Sequence, residues 1–185
     1  MRLHLIVELK FSKAIERMAP LLATMPRGKA KHSIRAAKNV HKAGGGKRAV
    51  YTTILHDFIE RGGDINHLSD HIEELGLPKD IVLAVHSLSS DEKTESNTLE
   101  NEPLLHLQSI LPAINEKEIR DIIIIAKMGD RIDNLKKRIR KFGKIGKNYK
   151  RKSIELLDFL VSNYTGKAKL FDRLQQKFME LINHV

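Results

Sequence analysis

Two histidines and two aspartates of this chain have side chains that could bind one divalent metal ion. They are His32, His56, Asp57 and Asp130. His56 and Asp57 lie between apolar residues, and Asp130 follows a run of four isoleucines. An ionised aspartate in apolar surroundings is costly unless it is paired or binds a cation. Two imidazoles and two carboxylates suit a transition metal ion, which would lower the pKa of a bound water molecule and polarise a phosphoryl oxygen.

Each of these residues also has an ordinary structural interpretation. A His-Asp pair occurs by chance in many helical proteins, and a buried aspartate can cap a neighbouring helix. The metal interpretation therefore depends on the joint pattern, in which His56, Asp57 and Asp130 all stand in strongly apolar surroundings.

The elements that must position these side chains are helices, and the sequence predicts one all-α domain over residues 1–185. Apolar residues recur at helical spacing, and no stretch shows the alternation of a strand or the Asn-Gly signal of a hairpin. The predicted helices cover about 5–24, 29–42, 47–61, 64–76, 78–88, 116–142, 150–164 and 167–184. We expect His56 and Asp57 to lie in the middle of the third. A polar, acidic loop is predicted over residues 89–103, and loops of this length are often functional.

The isoleucine run at residues 122–125 predicts a buried segment. A short strand is the alternative to a helix here, because β-branched residues favour strands locally. We expect a helix, since the apolar spacing continues through Met128, Ile132, Leu135 and Ile139.

Composition excludes several classes of protein and chemistry. The absence of cysteine excludes disulfides, a cysteine zinc site and a thiol nucleophile. No apolar run approaches the roughly 20 residues that span a bilayer, and the first residues become charged too soon for a secretory signal. We therefore expect a cytoplasmic protein without a membrane partner. With 33 Lys and Arg against 23 Asp and Glu, the formal charge of +10 favours anionic partners.

The candidate metal ligands and the residues around them resemble the H…HD…D signature of the HD-domain metal-dependent phosphohydrolases. Residues 55–60, LHDFIE, resemble that family's LHDxxE segment, and residues 127–134, KMGDRIDN, resemble the KxADRxxN segment of the RelA/SpoT-type (p)ppGpp hydrolases. The 24-residue step from His32 to His56 also suits that subgroup. The resemblance covers roughly residues 5–165.

The resemblance implies an HD-domain helical bundle in which His32, His56, Asp57 and Asp130 bind a single metal ion. That ion is commonly manganese, and other transition metals are possible. The implied reaction is hydrolysis of a phosphate ester or pyrophosphate on a nucleotide, with a (p)ppGpp-like guanosine polyphosphate pyrophosphohydrolase as the leading interpretation. Asn134 would bind the sugar or its phosphate. The chain is too short to include an alarmone synthetase domain, so it resembles a stand-alone hydrolase.

The chain departs from the alarmone hydrolases at residues close to the predicted metal ligands in the sequence. Arg61 stands where a second acid usually follows LHDxxE, and Ser33 stands where a proline usually follows the first ligand. We therefore expect Glu60 to act as general acid or base, with Asp64 as a second candidate. Nucleoside monophosphates and cyclic (oligo)nucleotides remain alternative substrates. Arg61 also favours a non-catalytic module that binds nucleic acid or protein.

Basic residues surround the predicted metal ligands. No acid occurs between Arg17 and His56, and the residues expected to bind substrate phosphates are Arg27, Lys29, Lys31, Arg35 and Arg131. The first three are also the partial match to a base-binding Arg-Lys-Ser segment of the family. Residues 136–152 hold ten Lys or Arg and no acid, which predicts weak, non-specific contact with nucleic acid. The sequence sets no oligomeric state.

Overall fold

The computed structural model describes residues 2–89 and 102–183, with the side chains of 10–89 and 103–183. Over these ranges it contains α-helices and two short 3-10 helices, and no strand, so the prediction of an all-α bundle is confirmed. The helices are α1 (Arg2–Thr24), α2 (Arg27–Ala43), α3 (Lys47–Leu55), α4 (Ile65–Glu74), α5 (Asp80–Leu88), α6 (Glu102–Ile110), α7 (Lys117–Phe142), α8 (Lys147–Asn163) and α9 (Ala168–Ile182). The 3-10 helices are Ile59–Arg61 and Leu111–Ala113.

Helix α7 is the centre of the bundle and packs against α2, α3, α5, α8 and α9. All four isoleucines at 122–125 are buried within it, so the run is helical and not a strand. Apolar residues on every side of a helix require neighbours on every side, which explains its central position. Each of the nine helices in the described ranges contributes buried apolar side chains to one core cluster.

A glycine allows α7 to approach α2 closely just before Asp130. A Cβ atom on Gly129 would lie 2.7 Å from Val40 Cγ2 and 3.0 Å from the carbonyl oxygen of Ala36. Both distances are shorter than ordinary van der Waals contacts, so any side chain here would push the two helices apart. The close approach brings Asp130 against the face of α2 that carries His32.

The predicted helix over 47–61 is wrong in its last turns. The helix ends at Leu55, and the N–H of Phe58 donates to the carbonyl of Leu55 in a tight turn. The following 3-10 helix ends at Gly62, whose φ of +84° is a left-handed conformation that favours glycine. His56 and Asp57 therefore lie in a turn after α3. In a regular helix, consecutive side chains point about 100° apart, whereas this turn lets both approach the same space.

Other differences concern helix ends and one helix that the sequence did not predict. α6 begins at Glu102, so the last two residues of the predicted loop are helical. Pro103 occupies the first turn of α6, where the missing N–H costs no hydrogen bond. Most of the predicted loop at 89–103 lies outside the described residues. α5 begins at Asp80 and α8 at Lys147. Among the described residues, no helix combines the length and apolar character that a membrane crossing requires.

Candidate metal centre

Three separate segments bring three of the four predicted ligands together. α2 supplies His32, the turn after α3 supplies His56, and α7 supplies Asp130. Asp130 Oδ1 lies 3.0 Å from His32 Nε2 and 3.8 Å from His56 Nε2. One ligand atom from each residue lies within 4.8 Å of those of the other two, so a single ion could be bound by all three.

Asp57, the fourth predicted ligand, lies beside this set and outside the group of mutually close ligand atoms. Its Oδ1 is 3.3 Å from His56 Nε2. Its Oδ2 is buried, has no hydrogen-bond partner among the described residues, and lies 3.5 Å from Lys29 Nζ. A buried carboxylate is costly unless a cation lies beside it, and among the described residues Lys29 supplies such a cation.

The hydrogen bonding of His56 fits a metal ligand. Its Nδ1 lies 2.8 Å from the carbonyl oxygen of Thr53, which can only accept, so Nδ1 carries the proton. In the neutral ring, Nε2 then has a free lone pair, and it is buried without a hydrogen-bond partner among the described residues. This lone pair faces oxygens of Asp57 and Asp130, so three electron-rich atoms point into one space. Such a donor set fits a divalent cation.

Asp133 binds the ring nitrogen of His32 that faces away from Asp130. Asp133 Oδ2 accepts from His32 Nδ1 at 2.8 Å, and the carboxylate forms a two-pronged ion pair with Arg35. Asp133 is 1% exposed. Burial opposes its charge, but the hydrogen bonds from His32 and Arg35 outweigh burial and lower its pKa. A carboxylate behind a ligating histidine fixes the orientation of the ring and strengthens its second nitrogen as a ligand.

The same contacts set the charge of His32 in the metal-free protein. Burial alone would lower its pKa, but hydrogen bonds to Asp130 and Asp133 raise the pKa to about 9. His32 is therefore protonated on both nitrogens at neutral pH, and the proton on Nε2 occupies the direction in which a metal ion would bind. Metal binding must displace this proton.

Asp130 stays ionised although it is buried. Desolvation would raise the pKa of its carboxyl group, but the charges of Lys127 and of protonated His32 hold that pKa well below its usual value. Lys127 Nζ lies 3.5 Å from Oδ2. The side-chain amide of Asn134 donates to Oδ1 at 2.6 Å. Asn134 thus orients the carboxylate and also lines the cavity beside it, so its contact with a substrate sugar stays a prediction.

The metal candidates line a cavity of about 600 Å³ that contains both cationic and apolar groups. The basic lining residues are Lys29, Arg35, Lys127 and Lys137. Its apolar lining residues, which we call the apolar wall, are Pro26, Leu88 and Pro103, and His106 of α6 also lines it. The cavity therefore offers both cationic and weakly polar surface to a ligand.

The two predicted proton-transfer residues lie in different places. Glu60 lines the metal cavity, and Arg61 Nη2 lies 3.9 Å from its Oε2. Asp64 is the N-cap of α4, where Oδ1 accepts from the backbone N–H of Asn66. It lines a separate shallow pocket along α4, and Gly62 breaks the helix that would have joined the two acids on one face.

The predicted phosphate-binding residues also separate into groups. Lys29 lines the cavity, whereas Arg27 and Lys31 are exposed and lie outside its lining. Arg35 lines the cavity but is bound to Asp133. Arg131 is buried, with its guanidinium 5.0 Å from the centre of the Tyr149 ring, and is absent from the lining.

Four polar residues of the site were not predicted from the sequence: Lys127, Asp133, Lys137 and His106. The first three had a signal, because residues three and seven positions from Asp130 share its face of a helix. His106 had none, since no helix was predicted there.

Comparison of the chain with protein-family models, with curated proteins and with solved structures gives no match. The geometry of the site and the resemblance of its motifs are therefore the grounds for a functional assignment.

Proposed function

We propose that this protein is a metal-dependent phosphohydrolase of the HD type that acts on a phosphorylated nucleotide, with a guanosine polyphosphate of the (p)ppGpp kind as the leading substrate. The observation that carries the proposal is the convergence of His32, His56 and Asp130 at a cavity lined by cations. Lys29, Lys127 and Lys137 line the same cavity as these candidate ligands, which supports a substrate that carries phosphates. The motif resemblance supplies the reaction class, and manganese is the expected ion.

Three lysines would act on the substrate phosphates, and Glu60 would act on the attacking water. Lys29, Lys127 and Lys137 would bind phosphoryl oxygens, and their charge would stabilise the negative charge that develops in the transition state. The bound ion would polarise a phosphoryl oxygen and make a water molecule more acidic. Glu60 would accept the proton of the attacking water as its oxygen bonds to phosphorus. As the bond between phosphorus and the leaving oxygen breaks, the same proton can return to that oxygen.

The apolar wall supports a nucleotide as the substrate. Pro26, Leu88 and Pro103 offer weakly polar surface on the same cavity as the lysines. A nucleobase can pack against such surface while the phosphates reach the cations. An inorganic polyphosphate would leave this wall without a partner.

The decisive experiment is a hydrolysis assay with purified protein loaded with Mn²⁺. The panel contains a guanosine tetraphosphate, GTP, nucleoside monophosphates and a cyclic dinucleotide, and chromatography identifies the released product. We expect pyrophosphate from the guanosine tetraphosphate and loss of turnover in His56→Gln. The matched control is His86→Gln, which changes an exposed histidine of α5 and should keep turnover.

The products also decide between substrates. Orthophosphate from a monophosphate, or a linear product from the cyclic dinucleotide, would replace the guanosine polyphosphate with one of the alternatives. Absence of hydrolysis across the panel with Mn²⁺, Co²⁺ and Fe²⁺, or equal turnover in His56→Gln, would overturn the proposal.

A second candidate is a module that has kept the bundle but lost turnover and binds nucleic acid. The observation in its favour is Arg61, which stands where the alarmone hydrolases usually carry a second acid and whose Nη2 lies 3.9 Å from Glu60 Oε2. This candidate predicts salt-sensitive RNA or DNA binding that survives in His56→Gln. The phosphohydrolase predicts that only turnover depends on His56.

A further inference from the structure

A second cleft, of about 420 Å³, lies between α2, α7 and α9 and shares no lining residue with the metal cavity. We call it the α9 cleft. Its basic lining residues are Lys42, Lys136, Arg173 and Lys177. Glu180 is the one acid in the lining, and it pairs with Lys177 at 2.7 Å. The lining therefore carries an excess of positive charge.

This excess charge is unfavourable in the ligand-free protein. Lys136 is half-buried, and burial together with the nearby charges of Lys177, Lys42 and Arg140 lowers its pKa. Like charges repel most strongly where a low-dielectric wall limits screening by water. An anion bound among these groups would relieve the repulsion.

The cleft also contains a polar donor without an acceptor. Lys136 Nζ can only donate, and it lies 2.5 Å from Asn39 Oδ1, which fixes the orientation of the Asn39 amide. Asn39 Nδ2 is then a buried donor with no hydrogen-bond partner among the described residues. A buried donor of this kind is costly until it finds an acceptor.

A third donor is held in place at the rim. Arg173 Nη1 donates to the carbonyl oxygen of Ala43 at 3.1 Å, which ties α9 to the end of α2. The remaining guanidinium N–H groups keep their capacity to donate. The cleft thus combines an amide, an ammonium and a guanidinium whose positions are set before a ligand arrives.

We propose that the α9 cleft is a second anion-binding site, separate from the metal centre, for a small ligand with phosphoryl oxygens such as pyrophosphate or a nucleotide phosphate chain. Phosphoryl oxygens accept several hydrogen bonds and carry the charge that these groups require. The buried donor of Asn39 favours a small ligand, because the phosphates of a nucleic-acid duplex would stay at the surface.

Calorimetry with inorganic pyrophosphate and metal-free protein tests this site. The variant is Lys42→Gln/Lys177→Gln, and its matched control is Lys144→Gln/Lys147→Gln. The control removes the same charge from exposed positions in the loop after α7 and at the first residue of α8. We expect the cleft variant to bind at least about tenfold more weakly and the control to stay within about twofold, since directed charge-assisted contacts are lost only in the first. Equal weakening in both variants would show that only net charge matters and would overturn the proposal.

Pyrophosphate can also enter the metal cavity, so a second measurement locates it. Acetylation of lysines, followed by mass spectrometry, reports which ammonium groups the ligand covers. We expect pyrophosphate to protect Lys42 and Lys177 even in Lys29→Gln, which removes a contact of the metal cavity. Protection confined to Lys29, Lys127 and Lys137 would refute the cleft site while leaving the proposed phosphohydrolase intact. Protection of the cleft by duplex RNA and not by pyrophosphate would make it a nucleic-acid surface and overturn the proposal.

Discussion

Replacing Asp133 with asparagine would test whether the carboxylate behind His32 sets the strength of the metal site. Asp133 Oδ2 accepts from His32 Nδ1 and from Arg35 Nη2, while Oδ1 accepts from Arg35 Nε. Asparagine offers one acceptor oxygen and one NH₂ group of nearly the same shape. In one orientation the NH₂ group faces Arg35, and in the other it faces His32. Either orientation breaks a hydrogen bond and removes the negative charge beside the imidazole.

The expected loss follows from the burial and the type of these contacts. A hydrogen bond to a charged group contributes about 1.5–3 kcal/mol, and Asp133 is so deeply buried that water screens it little. Loss of a partner behind a metal ligand typically weakens metal affinity by about 10- to 100-fold, or about 1.4–2.7 kcal/mol. The two figures agree, and we expect the dissociation constant for Mn²⁺ to rise by about 10- to 100-fold in Asp133→Asn at about pH 9, where the competing proton of His32 is half lost. Near neutral pH the variant also lowers the pKa of His32, which weakens that competition and makes the rise smaller.

The assay is a Mn²⁺ titration by calorimetry, with circular dichroism to confirm that the helices are retained. Asp158→Asn is the matched control, because it makes the same change at an exposed position of α8. It should bind Mn²⁺ as the unchanged protein does. A folded Asp133→Asn with unchanged affinity would refute the reasoning, since His32 would then be oriented without this carboxylate.

Three further predictions concern pH, the core and the two acids predicted for proton transfer. The pKa of His32 is about 9 in the metal-free protein and about 6.5 in an unfolded chain. Protonated His32 therefore makes its whole contribution to the free energy of unfolding below pH 6.5, and this contribution is lost as the pH rises through 9. Manganese competes with the same proton, so the rise in melting temperature that Mn²⁺ causes should grow from pH 6.5 to pH 9; a constant rise would contradict this protonation. Phe58→Ala should lower the free energy of unfolding by about 3–5 kcal/mol in urea denaturation, because Phe58 is 2% exposed in the core. A loss below about 1 kcal/mol would mean that neighbouring side chains fill the space of the missing ring. Asp64→Ala should cost about 0.5–2 kcal/mol of stability through the lost cap on Asn66 and leave turnover unchanged, whereas Glu60→Gln should abolish turnover; the reverse result would make Asp64 the proton-transfer residue.

Most of the helices could be predicted from the sequence because their signals are local. The isoleucines of α7 and the continued spacing to Ile139 predicted one long central helix, and Lys117–Phe142 matches it closely. α6 was missed because it follows an acidic segment with a proline in its first turn. The last turns of the third predicted helix were wrong because apolar spacing continues through Phe58, while the backbone turns at His56.

The sequence by itself determined the fold class and the residue types from which a metal centre could be built, because helical periodicity and side-chain chemistry depend on near neighbours and on composition. Only the tertiary structure decided which of these side chains meet. His32 contacts Asp130 and Asp133 across separations of 98 and 101 residues, and Arg35 binds Asp133 although its charge predicted a phosphate contact. Contacts between segments so distant along the chain depend on how α2 and α7 pack, and the space beside Gly129 sets how closely they approach.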